Sequence, residues 1–108
     1  MLKSCVGSPI YMAPQVLERT YYTTKCDIWS LGVIFYEMTH GHPPWKARDE
    51  PELFRVIKNM PITNILRHSH LSAKGIDFLK RTLAFSEEER IGWAELFEGF
   101  GPKVEKML

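Results

Sequence analysis

Apolar residues are most concentrated between residues 28 and 38, where the chain reads I-W-S-L-G-V-I-F-Y-E-M. Successive residues of a helix turn by about 100°, so these side chains point in all directions instead of forming one stripe. Thr24 and Asp27 precede the run at capping-box spacing, and Gly41 follows it. The pattern predicts a helix that the Thr24 hydroxyl caps, that Gly41 ends and that is buried on every side.

The rest of the chain predicts shorter helices joined by loops. Pro14 is suited to the first position of a helix, Pro61 stops one, and Ser72 is a good N-cap. A second capping-box pattern begins at Ser86, but Gly92 interrupts the helix that it would open. The expected helices cover residues 15–19, 52–60, about 73–83 and 93–97. The sequence therefore predicts a mainly α chain without a convincing strand.

These short helices are too few to surround the long one. A helix that is apolar on every side needs neighbours on every side, and the others can cover about half of it. Two explanations stay open: the chain oligomerises, or it is a piece of a larger domain whose other helices lie elsewhere.

Composition limits the size and class of the protein. The chain has 108 residues, of which 44% are hydrophobic and 25% charged, with a formal net charge of +1. These values are typical of one small soluble domain and argue against disorder, a coiled coil or a nucleic-acid-binding arm. The length excludes a two-lobed enzyme. We expect no nucleic-acid partner.

Localisation is inferred from the termini and the cysteines. No apolar run approaches the roughly 18 residues of a membrane span, and the first residues do not resemble a signal peptide. Cys5 and Cys26 are far apart and form no C-x-x-C pattern, so we expect free thiols in a reducing compartment. An intracellular, cytoplasmic protein is predicted, without a membrane span.

Two histidine pairs suggest a metal site only superficially. His40 and His42 follow the long helix, whereas His68 and His70 belong to a later loop. A zinc site needs its ligands to converge on one point. We expect that nothing brings the two pairs together and that the chain binds no metal.

Two sequence blocks carry a family resemblance. Residues 7–15 read G-S-P-I-Y-M-A-P-Q, and residues 27–33 read D-I-W-S-L-G-V. In this order and spacing they resemble the end of the activation segment and the central helix of eukaryotic Ser/Thr protein kinases. The wording of the first block is most similar to Unc-51-like, autophagy-initiating kinases. The resemblance implies the C-terminal, helical lobe of the protein-kinase-like fold, incomplete, with residues 1–108 forming a partial kinase domain.

The resemblance also implies a substrate-docking segment. Ser8 matches the activation-segment hydroxyl that goes with Ser or Thr acceptors. Glu37 matches a helix glutamate that reads basic substrate residues in some members. The loop that receives the substrate residue after the acceptor consists of Gly7, Pro9, Ile10 and Tyr11.

Other matched positions imply structural roles. Asp27 matches the helix aspartate that holds the backbone of the catalytic loop, and Trp29 belongs to the core. Gln15 replaces the acidic residue that normally pairs with the arginine matched by Arg90. Because an amide can still accept from a guanidinium, we predict a Gln15–Arg90 hydrogen bond and a looser activation segment. Ser4 is a possible phosphorylation site, and an ordinary exposed serine is the alternative.

The catalytic motifs of the family lie upstream of the matched region. The chain contains no glycine-rich loop, V-A-I-K lysine, H-R-D loop or D-F-G. It is therefore expected to bind neither ATP nor Mg²⁺ and to be inactive alone. An intact parent would use both, together with the upstream half of the domain, to phosphorylate Ser or Thr in protein substrates. The alternative is a non-catalytic, kinase-like interaction module that binds substrates or regulators.

Overall fold

Six α-helices form the part of the chain that the structure, a computed structural model, describes, which is residues 9–99. Within this range there are also two 3₁₀ turns, Pro9–Tyr11 and Leu66–His68, and no β-strand. The prediction of a mainly helical chain is confirmed. The helices are α1 (Pro14–Leu17), α2 (Lys25–His40), α3 (Glu50–Asn59), α4 (Ile62–Ile65), α5 (Ala73–Thr82) and α6 (Trp93–Gly99).

The two ends of α2 differ in how well the sequence predicted them. Gly41 adopts the left-handed conformation, with φ of 83°, and its N–H donates to the Glu37 carbonyl at 2.9 Å, so the predicted stop is confirmed. The predicted Thr24 cap is wrong, because Thr24 is already helical and its side chain makes no capping bond. The hydroxyl of Thr23 instead accepts from the Lys25 N–H at 3.2 Å.

Among the shorter helices, the side-chain cap fixes the start in two cases. The predicted Ser72 cap is confirmed, because its hydroxyl accepts from the Gly75 N–H at 3.2 Å. Helix α3 begins two residues earlier than predicted, because Asp49 accepts from the Glu52 N–H at 2.9 Å. The pattern at Ser86 opens only a turn, and α4 is a single turn that the sequence did not predict.

Helix α2 lies at the centre of the core and packs closely on α5. Gly32 faces α5 so closely that a Cβ atom there would lie 2.5 Å from Thr82 Oγ1. Nearby, the Phe35 and Phe78 rings meet edge to face at 4.9 Å between centroids. On another side of α2, Trp29 stacks on Trp45 from the following loop at 5.3 Å. A glycine is favoured at position 32 because a side chain there would collide with the packed side chains of Thr82 and Leu83.

One side of α2 stays uncovered by the described residues. Leu31, Ile34 and Met38 are 38%, 44% and 64% exposed. Their spacing places them on one face of the helix, and we refer to these three side chains as the α2 stripe. The prediction of burial on every side is therefore wrong for this chain, because the short helices cover only the other faces.

Cys26 differs from its prediction. The residue is completely buried and is disulfide-bonded. The prediction of a free thiol is wrong for Cys26. Separately, none of the helices within residues 9–99 has the length and apolar character needed to cross a bilayer.

Candidate functional site

Arg90 is a buried charged residue that connects several segments of the fold. It follows α5, is only 1% exposed, and donates to a ring of uncharged oxygens. Its Nη2 reaches the Gln15 side-chain oxygen at 2.8 Å, so the predicted Gln15–Arg90 hydrogen bond is present. The remaining acceptors are the backbone carbonyls of Ala84 at 3.0 Å, Lys25 at 3.1 Å and Phe85 at 3.1 Å. One guanidinium thereby joins α1, α2 and the loop after α5.

The burial of this charge has an electrostatic consequence. The guanidinium carbon lies 5.0 Å from the centroid of the Trp29 ring, whose face attracts cations. Removal from water lowers the pKa of Arg90 to about 10, although the nearby Glu87 carboxylate acts in the opposite direction. Arg90 therefore remains charged at neutral pH, and neutral dipoles and a ring stabilise it.

The segment before α1 is anchored to α2 at two points. The Tyr11 hydroxyl donates to Glu37 Oε1 at 2.6 Å, and this bond to the carboxylate raises the pKa of Tyr11, with burial adding to it. Two helical turns earlier on α2, the Ser30 hydroxyl donates to the Tyr11 carbonyl at 2.6 Å. Both contacts hold the 3₁₀ turn that contains Pro9 and Ile10 against the helix.

The structure thus places the predicted site residues in two groups. Tyr11 and Glu37 are in direct contact, and Gln15, Trp29 and Arg90 surround one buried charge. Asp27 is half-buried in the first turn of α2. Ser4, Gly7 and Ser8 lie outside the described residues, and so their predicted roles stay predictions.

Ser30 is an anchoring residue that the sequence analysis did not single out. It lies three residues after Asp27 in the D-I-W-S block. Its hydroxyl has a second acceptor, the carbonyl of Cys26 four residues earlier in the helix, at 3.2 Å. A polar residue in the middle of an apolar helix was the available signal, because a buried hydroxyl needs a partner.

Comparison with known proteins decides the family. The family model described as protein kinase domain matches residues 1–99. This chain belongs to the protein kinase family. The match includes both anchored segments, so the Tyr11–Glu37 and Gln15–Arg90 contacts lie within a kinase domain.

Named relatives of this kinase chain are serine/threonine-protein kinases. It is 37% identical over 98 residues to the kinase ATG1 of Eremothecium gossypii, and 38% identical over 91 residues to atg1 of Dictyostelium discoideum. These alignments cover 90% and 84% of this chain but only 10% and 13% of the relatives. The kinase Warts of Drosophila melanogaster is 43% identical over 90 residues, which is 82% of this chain and 8% of that protein. The chain thus spans about a tenth of these relatives, and the resemblance to Ser/Thr kinases that include the Unc-51-like group is confirmed.

Replacing Gln15 with glutamate is expected to stabilise this kinase chain. A carboxylate would give the buried guanidinium an ionic partner, which is worth about 1–2 kcal/mol more than a neutral acceptor. It would also remove the bond that Gln15 Nε2 donates to the Phe85 carbonyl at 2.8 Å, which offsets part of the gain. We expect a net rise of about 1 kcal/mol in the free energy of unfolding, measured by urea denaturation. Gln15→Ala is the matched control and should be destabilising; a glutamate variant no more stable than the parent chain would contradict the argument.

The histidines at the end of α2 are closer together than predicted. The His40 ring stacks on Tyr36 at 3.9 Å and lies 4.9 Å from His70 and 6.5 Å from His42, measured between centroids. His40 Nε2 is 2.9 Å from the Ser69 hydroxyl, which joins α2 to the loop before α5. The expectation that nothing brings the two pairs together is therefore wrong. Within residues 9–99 no group of three or more His, Cys, Asp or Glu side chains has the arrangement of a metal site.

This cluster predicts a pH dependence of stability. Burial lowers the pKa of His40, and the hydrogen bond to the Tyr36 carbonyl acts in the opposite direction. The nearby His70 and His42 rings lower the pKa of His40 further. A histidine of the unfolded chain titrates at about 6.5, whereas His40 of the folded chain has a lower pKa. As the pH falls below about 6.5, the unfolded state therefore binds the proton first. Stability from neutral His40 is full above this pH and is lost below it.

We therefore expect a lower melting temperature at pH 5.5 than at pH 7.5. In His40→Gln this difference between the two pH values should be smaller than in the parent chain. His68→Gln changes an exposed histidine outside these ring contacts and serves as the control. Equal pH dependence in His40→Gln and the control would rule out this assignment.

Proposed function

We propose that this chain is the substrate-docking part of a Ser/Thr protein kinase catalytic domain. In the complete parent enzyme it positions a protein substrate, while an upstream half of the domain supplies the groups that act on ATP. The reaction of the parent is the transfer of the terminal phosphoryl group of ATP to a Ser or Thr hydroxyl. The observation that carries this proposal is the anchoring of the Pro9–Tyr11 turn to α2 through Glu37 and Ser30.

The geometry around Glu37 supports a role in reading substrate charge. Tyr11 donates to one carboxylate oxygen, Oε1, and thereby fixes the orientation of the side chain. A carboxylate has further lone pairs, so it can accept from a basic side chain while the tyrosine holds it. The same bond ties the carboxylate to the turn over which the substrate would pass. Tyr11 is thus a positioning residue for Glu37.

The α2 stripe supports the proposal that an upstream half packs on this chain. Leu31, Ile34 and Met38 form an apolar face on the helix that otherwise lies at the centre of the core. Burying them would remove their apolar surface from water, which is favourable in proportion to the area covered. An upstream half of the same domain, continuous with this chain, is the partner that we propose for the stripe.

The described residues, 9–99, form no magnesium site, and the sequence lacks the kinase motifs that hold ATP. Magnesium in kinases is held by carboxylate and amide oxygens, with a lysine on the phosphates. Within residues 9–99 no acidic cluster has the arrangement of a metal site. ATP and Mg²⁺ therefore belong to the proposed parent enzyme, and the chain alone is proposed to be inactive.

We propose that the parent is cytoplasmic, because ATP-dependent kinases act where ATP is abundant. The disulfide at Cys26 argues against this compartment, since disulfides are rare in cytosolic proteins.

Glu37→Gln in the complete parent enzyme is expected to lower kcat/KM for a substrate peptide with an arginine near the acceptor. The loss should be about tenfold to a hundredfold, because a hydrogen bond to a charged group is worth about 1.5–3 kcal/mol. A peptide with alanine in place of the arginine should lose much less. Peptide phosphorylation assays with both substrates measure the ratio.

Two variants complete this experiment. Tyr11→Phe keeps the carboxylate but frees its orientation, and should produce a smaller loss of the same selectivity. Glu88→Gln removes an exposed carboxylate far from the turn in sequence and should leave the ratio unchanged. Equal losses for both peptides in Glu37→Gln would show that Glu37 does not read substrate charge.

The alternative, a non-catalytic interaction module, makes a different prediction. The transcript upstream of Met1 distinguishes the two: an in-frame continuation that encodes H-R-D and D-F-G supports the kinase. A genuine start codon after untranslated sequence favours the module. Phosphate transfer by the chain alone would contradict both proposals.

A further inference from the structure

Tyr21 lies in the loop that joins α1 to α2, and it is 99% exposed. Residues 20–23 of this loop belong to no helix or strand. Among the described residues, the phenol of Tyr21 has no hydrogen-bond, ionic or ring partner. An aromatic side chain that packs on nothing does not stabilise the fold, because its apolar surface stays in water. The ring is therefore free for an enzyme that acts on tyrosine.

The backbone is held on either side of Tyr21 but is free at Tyr21 itself. The Thr20 N–H donates to the Gln15 carbonyl at 3.1 Å, and two residues after Tyr21 the Thr23 N–H donates to a carboxylate oxygen of Glu87 at 2.8 Å. Between these two bonds, the backbone of Tyr21 makes no hydrogen bond within the part of the chain that the structure describes. An enzyme that binds an extended peptide pairs with free backbone groups of this kind. The loop can therefore enter an active site without the loss of a hydrogen bond at the acceptor residue.

The other tyrosines of the chain are engaged in the fold. The chain has four tyrosines, and all of them lie in the part that the structure describes. Tyr11 donates its hydroxyl proton to Glu37. Tyr36 is buried, and Tyr22 is half-buried and packs against the core. Tyr21 is therefore the tyrosine that an enzyme reaches first in the folded chain.

Arg19, two residues before Tyr21, supplies a positive charge beside the loop. Its side chain is 83% exposed, and its contact to Glu50 is long, at 3.8 Å between Nη2 and Oε1. An exposed pair of this kind contributes little to stability. Cα atoms two residues apart are separated by at most about 7 Å, so the long side chains of Arg19 and Tyr21 can meet. A phosphate on Tyr21 would carry a charge of about −1.5 to −2 at neutral pH and would form charge-assisted hydrogen bonds with the guanidinium.

We propose that Tyr21 is a phosphorylation site for a tyrosine-specific protein kinase, and that its phosphate takes Arg19 away from Glu50. The kinase transfers the terminal phosphoryl group of ATP to the phenolic oxygen. A bond forms between this oxygen and the γ-phosphorus, the bond from the γ-phosphorus to the β,γ-bridging oxygen breaks, and ADP leaves. The phenolic proton passes to a base of the kinase. The modifying enzyme is a separate protein, so this proposal does not rest on the proposed function.

The test incubates the full chain with ATP, Mg²⁺ and the catalytic domain of the epidermal growth factor receptor, a tyrosine kinase. Mass spectrometry then maps the modified residues over time. We expect phosphate on Tyr21 at an initial rate at least about tenfold above that on Tyr22, because modification of a half-buried residue has to wait for local opening. Tyr21→Phe should remove most of the incorporation, and Tyr22→Phe, the matched control, should leave it unchanged. A synthetic peptide of residues 17–26 shows whether the kinase accepts the sequence.

A second measurement tests the role of Arg19 in the phosphorylated chain. The phosphorus NMR resonance of phosphotyrosine follows its second ionisation, whose pKa a nearby guanidinium lowers because the positive charge favours the doubly charged form. Arg19→Gln should raise this pKa by about half a pH unit, which is the size expected of an exposed charge pair. Arg48→Gln removes an arginine that is paired with Glu52 instead, and it should leave the pKa of the phosphate unchanged.

Several results would overturn the proposal. Equal rates of phosphorylation at Tyr21 and at the buried Tyr36 would mean that the kinase acts on the unfolded chain, so that exposure of the loop does not select the site. A peptide that is phosphorylated while the folded chain is not would mean that the loop is closed to the enzyme. Failure of both would mean that the sequence around Tyr21 is not a tyrosine-kinase substrate. Equal phosphate pKa values in Arg19→Gln and Arg48→Gln would remove the charge argument.

Discussion

Replacing Arg90 with methionine is expected to lower the free energy of unfolding by about 3–5 kcal/mol. Methionine approximates the length of the side chain but donates no hydrogen bond. The carbonyls of Ala84, Lys25 and Phe85 and the amide oxygen of Gln15 would lose a donor that now holds them together. Because small domains are stable by only about 5–15 kcal/mol, this loss removes much of the total.

Urea denaturation followed by circular dichroism measures the effect, and two variants interpret it. Arg90→Lys keeps the positive charge but loses the planar fork, so it should be almost as destabilising as methionine. Arg81→Met removes an arginine whose contact to Asp77 is exposed, and should change stability by less than about 1 kcal/mol. If Arg90→Met and Arg81→Met prove equally mild, Arg90 does not organise this region.

The second large effect is expected from Gly32→Val. The first added carbon would lie 2.5 Å from Thr82 Oγ1 and 2.9 Å from two carbons of Leu83. These separations are too short, so α2 and α5 would have to move apart. We expect a loss of about 3 kcal/mol in the free energy of unfolding, since overpacking of a core usually amounts to about 1–3 kcal/mol. Gly32→Ala should lose less, because alanine favours the helix by about 1 kcal/mol over glycine.

A double-mutant cycle locates the origin of this loss. Thr82→Ala removes the closest atom, so Gly32→Ala should be less destabilising in that background than in the parent chain. Gly92→Ala is the control, because its added carbon would meet only Lys25 Cε, at 3.9 Å. Additive losses in Gly32→Ala and Thr82→Ala would mean that the two residues do not compete for space.

The family and the broad fold followed from the sequence because they rest on local patterns. The apolar run predicts α2, and Gly41 stops it because a left-handed residue is needed to end the helix at that point. The Gln15–Arg90 bond was predicted from the family resemblance alone, since the two residues are 75 positions apart. The capping prediction failed at Thr24, because the hydroxyl of the neighbouring Thr23 accepts the hydrogen bond from the helix start instead.

The sequence by itself determined the family and all the helices except the single turn of α4, because periodicity, caps and motif spacing are properties of short stretches. Only the tertiary structure decided which faces meet. It brought His40 beside His70, fixed Glu37 through Tyr11, and left the α2 stripe uncovered. The physical reason is that burial patterns state how much surface a helix must hide but not which partner hides it. Partners are chosen by shape and hydrogen bonding between residues far apart in the chain.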